Sequence, residues 1–285
     1  MIPNRREMNL VFREDLYSFV AHSFRFLEPG NRFIPAPYLE LLCAALMQVD
    51  VRAVTRLIIN MPPRHLKSIV TSVVFPAWVL MRDPKTKIAV ICHADMLAND
   101  LASRCKRLID SDDYRQIAPQ VRIRQDRDRR MDFETTRGGG VYFASIASGI
   151  TGRGFDHIVL DDPIAAHDAQ SEAERDRVQH AFDDMISSRL DEPARGTITV
   201  VHQRFHEADL SGYLLARGGT FSACRSSPRR RRRTNSKTTS GGGRLETYYC
   251  PRTSPRRKSR KFTPTTEKRY SRRNGNRIRH LPMVS

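Results

Sequence analysis

The chain lacks several features that mark secreted, membrane and metal-scaffold proteins. Its 285 residues include only five cysteines, and these form no C-x-x-C pair, which argues against a disulfide framework or a zinc module. The N-terminus has no apolar core typical of a signal peptide, and the most apolar run, residues 69–81, is too short to span a bilayer. These absences predict a soluble cytoplasmic protein with no membrane partner.

Acidic residues are nearly absent from the C-terminal part of the chain. Residues 222–285 hold 20 of the 49 Lys and Arg but only 2 of the 31 Asp and Glu, so this segment alone carries the formal net charge of +18. The first 221 residues are therefore neutral overall. The basic segment also has few aliphatic residues and no periodicity, which predicts disorder because little apolar surface is available for burial.

Apolar periodicity predicts alternating helices and strands after an N-terminal helical segment. Helices are predicted at residues 8–27, 38–49, 67–81, 94–109, 171–190 and 207–217. Strands are predicted at residues 56–61, 87–92, 131–135, 140–147, 156–160 and 197–202, and residues 110–130 are interpreted as irregular. The pattern indicates an α/β fold with a mainly parallel sheet covered by helices on both faces. It predicts a helical segment at residues 1–50, an α/β domain at residues 51–220 and a disordered basic tail at residues 221–285.

The stretch IINMPPRHLKS, residues 58–68, ends like a phosphate-binding loop. In such a loop backbone N–H groups and a helix N-terminus face the phosphates, a lysine reaches the outer phosphates, and a hydroxyl ligates magnesium. Lys67 and Ser68 stand where this chemistry requires them, after a predicted strand and at the start of a predicted helix. An ordinary strand–turn–helix without a ligand is the alternative.

The loop lacks the two glycines that phosphate-binding loops usually carry, since Met61 and Leu66 occupy their positions. Leucine restricts the backbone, because glycine tolerates positive φ and close approach to a ligand. We hypothesise that the adjacent Pro62 and Pro63 set a different loop path, which leaves Leu66 pointing away from the phosphates.

Two adjacent carboxylates, Asp161 and Asp162, follow the buried run IVL at residues 158–160. Neighbouring carboxylates at the end of a parallel strand repel each other unless a cation or a water-activating role uses them. In a P-loop ATPase the first would help to hold magnesium and the second would position the attacking water. A strand that ends in a capping aspartate is the alternative. Together, the lysine loop and the acidic pair predict ATP and Mg²⁺ as ligands.

Four segments make the chain similar to a known family: IINMPPRHLKS, FPAW, ASGITGRGFDHIVLDDP and ITVVHQRFHEADLSG. In order and spacing they resemble the ATPase domain of phage terminase large subunits, the DNA-packaging motors of tailed phages and prophages. The resemblance covers roughly residues 30–220 and implies a P-loop NTPase fold of the ASCE type. It also implies a bacterial host cytoplasm and four kinds of partner: double-stranded DNA, a small terminase subunit, the portal protein and further copies of the chain in a ring.

The resemblance implies roles for single positions. Lys67 and Ser68 match the Walker A lysine and hydroxyl, Asp161 matches the Walker B magnesium carboxylate, and Asp162 matches the catalytic carboxylate. Magnesium would be held by Ser68 and Asp161 together with ATP. The nucleotide-binding set implied by the family comprises Pro63, His65, Leu66, Lys67, Ser68, Asp161, Tyr38 and Gln203.

Two arginines are candidates for stabilising charge on the transferring phosphate. Arg64 matches an arginine common in the loop of this family and is placed to contact the γ-phosphate. Arg153 is the candidate arginine finger, supplied to the nucleotide of a neighbouring subunit; a solvent-exposed or salt-bridged loop arginine is the alternative. Gln203 occupies the motif that senses the ATP state, where many relatives carry threonine, and Tyr38 lies where the family packs a segment near the adenine.

A terminase large subunit continues into a nuclease domain, whose clustered carboxylates hold two metal ions. Beyond Asp209 this chain has no aspartate and only Glu246 and Glu267 as acids, so we expect no nuclease activity. Residues 222–285 are interpreted either as a basic arm that neutralises DNA phosphates or as the product of a reading-frame shift near Phe221. The abrupt change in composition favours the frameshift.

The leading hypothesis is therefore a truncated terminase large subunit that retains its ATPase. The alternatives are an inactive prophage remnant, a non-specific nucleic-acid-binding protein without ATPase activity, and a different P-loop motor such as a helicase-like ATPase.

Overall fold

Three helices precede the first strand: α1 (Arg5–Glu14), α2 (Leu16–Leu27) and α3 (Pro37–Asp50). The computed structural model describes residues 4–148, 150 and 152–217, and the backbone of residues 222–226 and 247–250. The single helix predicted at residues 8–27 is divided at Asp15. The Asp15 backbone is extended (φ −121°), and the Asp15 carboxylate caps α2 by accepting a hydrogen bond from the Ser18 backbone amide at 2.8 Å. A capping aspartate inside an apolar helical pattern therefore starts a new helix.

Nine strands form one sheet with the order β3-β4-β5-β2-β6-β7-β1-β8-β9. The strands are β1 (Arg56–Asn60), β2 (Lys87–Cys92), β3 (Ile123–Arg129), β4 (Asp132–Thr135), β5 (Gly140–Ser145), β6 (His157–Asp161), β7 (Thr197–His202), β8 (Ser222–Ser226) and β9 (Thr247–Cys250). β4 runs antiparallel to both of its neighbours, and all other neighbouring strands are parallel. The predicted α/β fold with a mainly parallel sheet is confirmed.

The remaining helices connect the strands. They are α4 (Phe75–Arg82), α5 (Asp95–Asp110), α6 (Asp112–Ile117), α7 (Glu172–His180) and α8 (Leu210–Ala216). A π-helical segment, Ile69–Val74, precedes α4, and a second one, Ala181–Ile186, follows α7. The long helix predicted at residues 171–190 thus exists as an α-helix only to His180, and it ends in the π-helical segment and a short 3-10 turn, Ser187–Arg189.

Hydrophobic cores lie on both faces of the sheet, because successive strand residues point to opposite sides. In β1, Leu57 and Ile59 join a core formed with helices α1 to α6, whereas Ile58 joins a second core with α7 and α8. Strands buried on both faces explain the continuous apolar runs in the sequence. Helices α1 to α3 share the first core with the sheet, so residues 4–50 pack as part of the α/β unit.

Two regions differ from their sequence-based interpretation. The charged region at residues 110–130 contains α6, which contributes Tyr114 and Ile117 to the first core, and β3, which pairs with β4 and packs only Ile123 against that core. Strands β8 and β9 lie within the segment predicted to be disordered, and they extend the sheet from the otherwise open edge of β1. The rest of residues 221–285 lies outside the described residues. No helix in the described part of the chain is long and apolar enough to cross a membrane.

Candidate active site at the carboxyl edge of the sheet

The carboxyl ends of four neighbouring strands meet at one edge of the sheet. β1, β7, β6 and β2 are adjacent and parallel, and their registers pair Asn60 with His202, Val201 with Asp161, and Asp161 with Cys92. The residues that follow these strands therefore emerge side by side. This arrangement brings the loop after β1, the acidic pair at the end of β6 and the loop after β7 to one place.

The loop after β1 adopts left-handed backbone conformations without glycine. Arg64 has φ 60° and Leu66 has φ 58°. Such a conformation costs roughly 1–2 kcal/mol per residue when a side chain is present. The Leu66 side chain packs against the first hydrophobic core, which offsets part of this cost and directs the side chain into the protein. The loop thus takes the backbone path that glycine would allow, with a leucine anchored in the core.

Lys67 is buried between the two carboxylates. Its side chain is only 5% exposed, its Nζ contacts Asp162 Oδ2, and it lies 3.7 Å from Asp161 Oδ1. A buried ammonium is stable only when it is paired and hydrogen-bonded, and here the two carboxylates provide the compensation. The fold therefore brings the lysine loop and the acidic pair into contact.

Asp161 is fully buried, and hydroxyl groups hold both of its oxygens. Ser68 Oγ donates to Oδ1 at 3.1 Å, and Ser72 Oγ donates to Oδ2 at 2.7 Å. Burial raises the pKa of Asp161, while Lys67 and the two hydroxyls oppose that shift by stabilising the ionised carboxylate. Ser72 was not predicted as a site residue; its position four residues after Ser68, on the same helical face, is the sequence signal that could have found it.

Asp162 is held from several directions. Its own backbone is left-handed, with φ 45°, and its amide donates to the Val201 carbonyl at 2.8 Å. The Gln203 backbone amide donates to Asp162 Oδ1 at 3.2 Å, and the side-chain Nε2 of Gln203 donates to Oδ2 at 3.4 Å. The Asp162 carbonyl is hydrogen-bonded to His93 Nδ1 at 2.9 Å, a contact that sequence reasoning missed. Gln203 is therefore brought together with the acidic pair.

The loop after β7 is tied to α8. His202 is fully buried, and burial lowers its pKa, so the ring is neutral at physiological pH. Its Nδ1 is bonded to the Gln203 carbonyl. Arg204 Nε donates to Asp209 at 2.9 Å, and Asp209 caps α8 by accepting from the Gly212 amide at 2.9 Å. Arg204, the neighbour of Gln203, is thus bonded to the residue that caps α8.

The outer side of the lysine loop carries the remaining predicted residues. The Tyr38 and His65 rings lie 5.2 Å apart, and His65 Nδ1 is bonded to the Pro63 carbonyl at 2.7 Å. The Arg64 side chain is exposed and has no ion-pair or hydrogen-bond partner among the described residues. The structure thus places the Tyr38 ring beside His65 of the loop, and the Arg64 guanidinium is unpaired within the described part of the chain.

Arg153 lies away from Lys67 in the same chain. Both of its terminal nitrogens donate to the Asp132 carboxylate at 2.7 Å, and its guanidinium stacks 4.8 Å from the Tyr142 ring centre. These hydrogen bonds raise the pKa of Arg153. Arg153 also lines a cavity of about 300 Å³ with Lys87 and Gly140, the first residues of β2 and β5, and thus lies towards the amino edge of the sheet. The salt-bridged alternative describes this chain, and a role as a finger for a neighbouring subunit stays a prediction.

The oxygen donors of Ser68 and Asp161 are chemically suited to magnesium. Among the residues that the structure describes, no three His, Cys, Asp or Glu side chains form a metal-binding group. Magnesium at phosphate sites does not need such a cage, because one or two carboxylates act together with waters and substrate phosphates. The Ser68 hydroxyl and the Asp161 carboxylate, 3.1 Å apart beside Lys67, supply hard oxygen donors of this kind.

Comparisons with known proteins add no relative from which a role could be transferred. No family model and no curated protein matches the chain. Any function assigned to the carboxyl edge therefore has to be supported by the arrangement of its residues.

Proposed function

We propose that the chain is the ATP-hydrolysing motor domain of a phage terminase large subunit, which drives double-stranded DNA into a procapsid. The observation that carries the proposal is the burial of Lys67 between Asp161 and Asp162, with Ser68 and Gln203 bonded to the same two carboxylates. The lysine lies at the end of the loop in a strand–loop–helix unit and is flanked by two carboxylates. This arrangement supports phosphoryl chemistry more than structural stabilisation.

The sheet order supports the ASCE type of P-loop fold that the resemblance implies. The lysine loop follows β1 and the acidic pair ends β6, while β7, which carries Gln203 after its last residue, lies between them. Three neighbouring parallel strands thus deliver a phosphate-binding group, a sensing group and an acidic pair to one edge. Ligands of open α/β sheets bind at this edge, outside the carboxyl ends of the strands.

The reaction would be in-line attack of a water molecule on the γ-phosphate of ATP, in which the new P–O bond forms as the bond to the bridging β–γ oxygen breaks and ADP leaves. Asp162 accepts the proton of that water, and Gln203 fixes the Asp162 carboxylate through two contacts. Lys67 exchanges its contact with Asp162 for the phosphate oxygens and stabilises the charge that develops there. Arg64, which has no partner in the described part of the chain, supplies a second positive group on the exposed side of the loop.

Ser68 and Asp161 would hold the magnesium ion that accompanies ATP. Magnesium held by these two residues would neutralise charge on the phosphates and orient them for transfer. The chain's own contribution is a carboxylate that cannot reorient, because hydroxyl groups hold both Asp161 oxygens inside the protein.

The outer parts of the site concern the nucleotide base and the assembly. Tyr38 and His65 offer two adjacent rings beside the loop, which suits contact with the adenine. Arg153 would serve a neighbouring copy in a ring only after leaving Asp132. The further partners that the proposal brings are double-stranded DNA, a small terminase subunit and the portal protein.

A DNA-stimulated ATPase assay tests the proposal. We expect the wild type to hydrolyse ATP, and we expect Lys67→Ala and Asp162→Asn each to lower the rate by about 100-fold or more, since positioned bases and charge-stabilising groups contribute factors of that size. Lys87→Ala removes an exposed lysine at the other edge of the sheet and serves as the matched control. A wild-type rate equal to the rates of both site variants would contradict the proposal.

The charge of residues 222–285 favours a second candidate, a non-specific nucleic-acid-binding protein without ATPase activity. A polycation releases counterions from DNA, so its affinity falls steeply as the salt concentration rises. This candidate predicts salt-sensitive DNA binding by the wild type and no hydrolysis above the Lys67→Ala rate. The same assay, run beside a DNA titration at two salt concentrations, separates the two functions.

A further inference from the structure

Ser72 is a buried hydroxyl that touches the acidic pair but belongs to neither predicted motif. It lies in the π-helical segment Ile69–Val74, one turn beyond Ser68, and its Oγ donates to Asp161 Oδ2 at 2.7 Å. This distance is typical of a well-formed hydroxyl hydrogen bond.

The two oxygens of Asp161 face different surroundings. Oδ1 accepts from Ser68 and lies 3.7 Å from Lys67 Nζ, on the side of the phosphate-binding loop. Oδ2 accepts from Ser72, which is itself fully buried. The carboxylate is thus anchored by one oxygen in the protein interior, while the other faces the loop.

The neighbouring hydrogen bonds indicate which acceptor the Ser72 hydroxyl proton is donated to. Thr71 Oγ1 lies 2.9 Å from the Lys67 carbonyl and 3.2 Å from Ser72 Oγ. Each hydroxyl has one hydrogen to donate, and a bond to an ionised carboxylate is stronger than one to a neutral hydroxyl. The Ser72 proton therefore goes to Asp161, and the Thr71 proton goes to the Lys67 carbonyl.

We propose that Ser72 is a positioning residue that fixes Asp161 so that only Oδ1 is presented to the magnesium ion of ATP. The proposal rests on the proposed function, because it assigns a role within the same site. Without the Ser72 hydroxyl, Oδ2 is a buried acceptor with no donor, and the carboxylate turns towards Ser68 and Lys67 instead. Partners that orient a metal ligand typically contribute about 10- to 100-fold to metal affinity.

The experiment measures how much Mg²⁺ the full chain needs to bind a non-hydrolysable ATP analogue. Calorimetric titrations over a series of Mg²⁺ concentrations give the half-maximal concentration for the wild type and for Ser72→Ala. We expect Ser72→Ala to raise it by about tenfold or more. Binding of the analogue without Mg²⁺ should be unchanged, since the Ser72 side chain is hydrogen-bonded to Asp161 and Thr71 rather than to the lysine loop.

Thr71→Val is the matched control, because Thr71 is as buried as Ser72 and adjacent to it but bonds no carboxylate. It should shift the Mg²⁺ requirement by no more than about twofold, against the tenfold expected of an orienting partner. Ser72→Thr retains the hydroxyl and should restore the wild-type requirement. If Ser72→Ala does not fold, Ser72→Cys gives the same comparison, because a thiol is a weak donor.

The outcomes separate the inference from the proposed function. A wild type that binds the analogue more tightly with Mg²⁺ than without it, combined with an unchanged requirement in Ser72→Ala, overturns the role of Ser72 and leaves the ATPase proposal intact. Equal shifts in Ser72→Ala and Thr71→Val also overturn it, since they would reflect general disturbance of the helix. A wild type that binds no analogue at any Mg²⁺ concentration overturns both.

Discussion

The two edges of the sheet differ in how deeply their lysine–aspartate pairs are buried. At the carboxyl edge Lys67 and Asp161 are buried, and Asp162 takes a left-handed backbone to stay beside them. At the amino edge Lys87 pairs with Asp191 at 3.0 Å, but these side chains are 51% and 39% exposed. Burying a charge is costly unless partners compensate it, so a fold that needed only stability would keep both edges like the amino edge. The carboxyl edge therefore carries buried charge that stability alone does not explain, and the proposed function would account for it.

The sharpest test of this contrast removes one lysine from each edge. We expect Lys67→Ala to lower the free energy of unfolding by about 3–5 kcal/mol at neutral pH, because it leaves two adjacent carboxylates without their counter-charge. Lys87→Ala should cost less than about 1 kcal/mol, because its ion pair is solvated. Urea unfolding of the two variants and the wild type measures both values. Similar losses would mean that the edges do not differ as the burial indicates.

Backbone packing gives a second contrast. A Cβ at Gly139, near the amino edge, would lie 2.3 Å from the Lys85 carbonyl carbon and 2.5 Å from the Thr86 oxygen, both backbone atoms. We therefore expect Gly139→Ala to destabilise the fold by about 1–3 kcal/mol through overpacking.

Leu66→Gly at the carboxyl edge is the counterpart of that substitution. Relief of the left-handed strain, about 1–2 kcal/mol, opposes the lost side-chain packing and the greater freedom of the unfolded chain. The net change in the free energy of unfolding should stay within about 1 kcal/mol. Urea unfolding of Leu66→Gly and Gly139→Ala measures the loss of unfolding free energy in each variant. A larger loss for Leu66→Gly than for Gly139→Ala would contradict this expectation.

His157, the first residue of β6, is a buried ionisable group at the amino edge. Burial lowers its pKa from 6.5 to about 3, and Arg52 adds to the shift. Above pH 6.5 the ring is neutral in both the folded and the unfolded chain, so it has no effect on stability there. Below that pH the imidazole is protonated in the unfolded chain but stays neutral in the folded chain. The free energy of unfolding therefore falls by up to about 1.4 kcal/mol per pH unit until the pKa of the folded state is reached.

Urea unfolding at pH values of about 7 and 5.5 should therefore show a loss of stability that His157→Gln reduces. Part of the loss should remain, because burial also lowers the pKa of His202. His167, whose side chain is 83% exposed, provides the control substitution His167→Gln, which should leave the loss unchanged. Equal pH dependence in His157→Gln and the wild type would contradict this account.

The sequence predicts best where local chemistry decides the structure. The predicted ranges 87–92 and 197–202 coincide with β2 and β7, because polar residues bound each apolar run. Lys67 and Asp162, both singled out in the sequence, come together because the carboxyl ends of parallel strands share an edge. The Asp132 partner of Arg153, however, is 21 residues away in a hairpin, and spacing alone gives no sign of it. The same holds for His93, whose contact with the Asp162 carbonyl depends on tertiary proximity.

Trp78 gives the molecule an optical reporter at a useful position. It is the single tryptophan of the chain, its ring is 1% exposed, and its Nε1 donates to the Phe12 carbonyl of α1 at 2.9 Å. It belongs to α4, which continues the helical run that carries Ser72. Tryptophan emission from the described fold therefore originates where α1 is docked on that run. Its wavelength would follow any loosening of α1 from the helix behind the acidic pair, without a label attached to the protein.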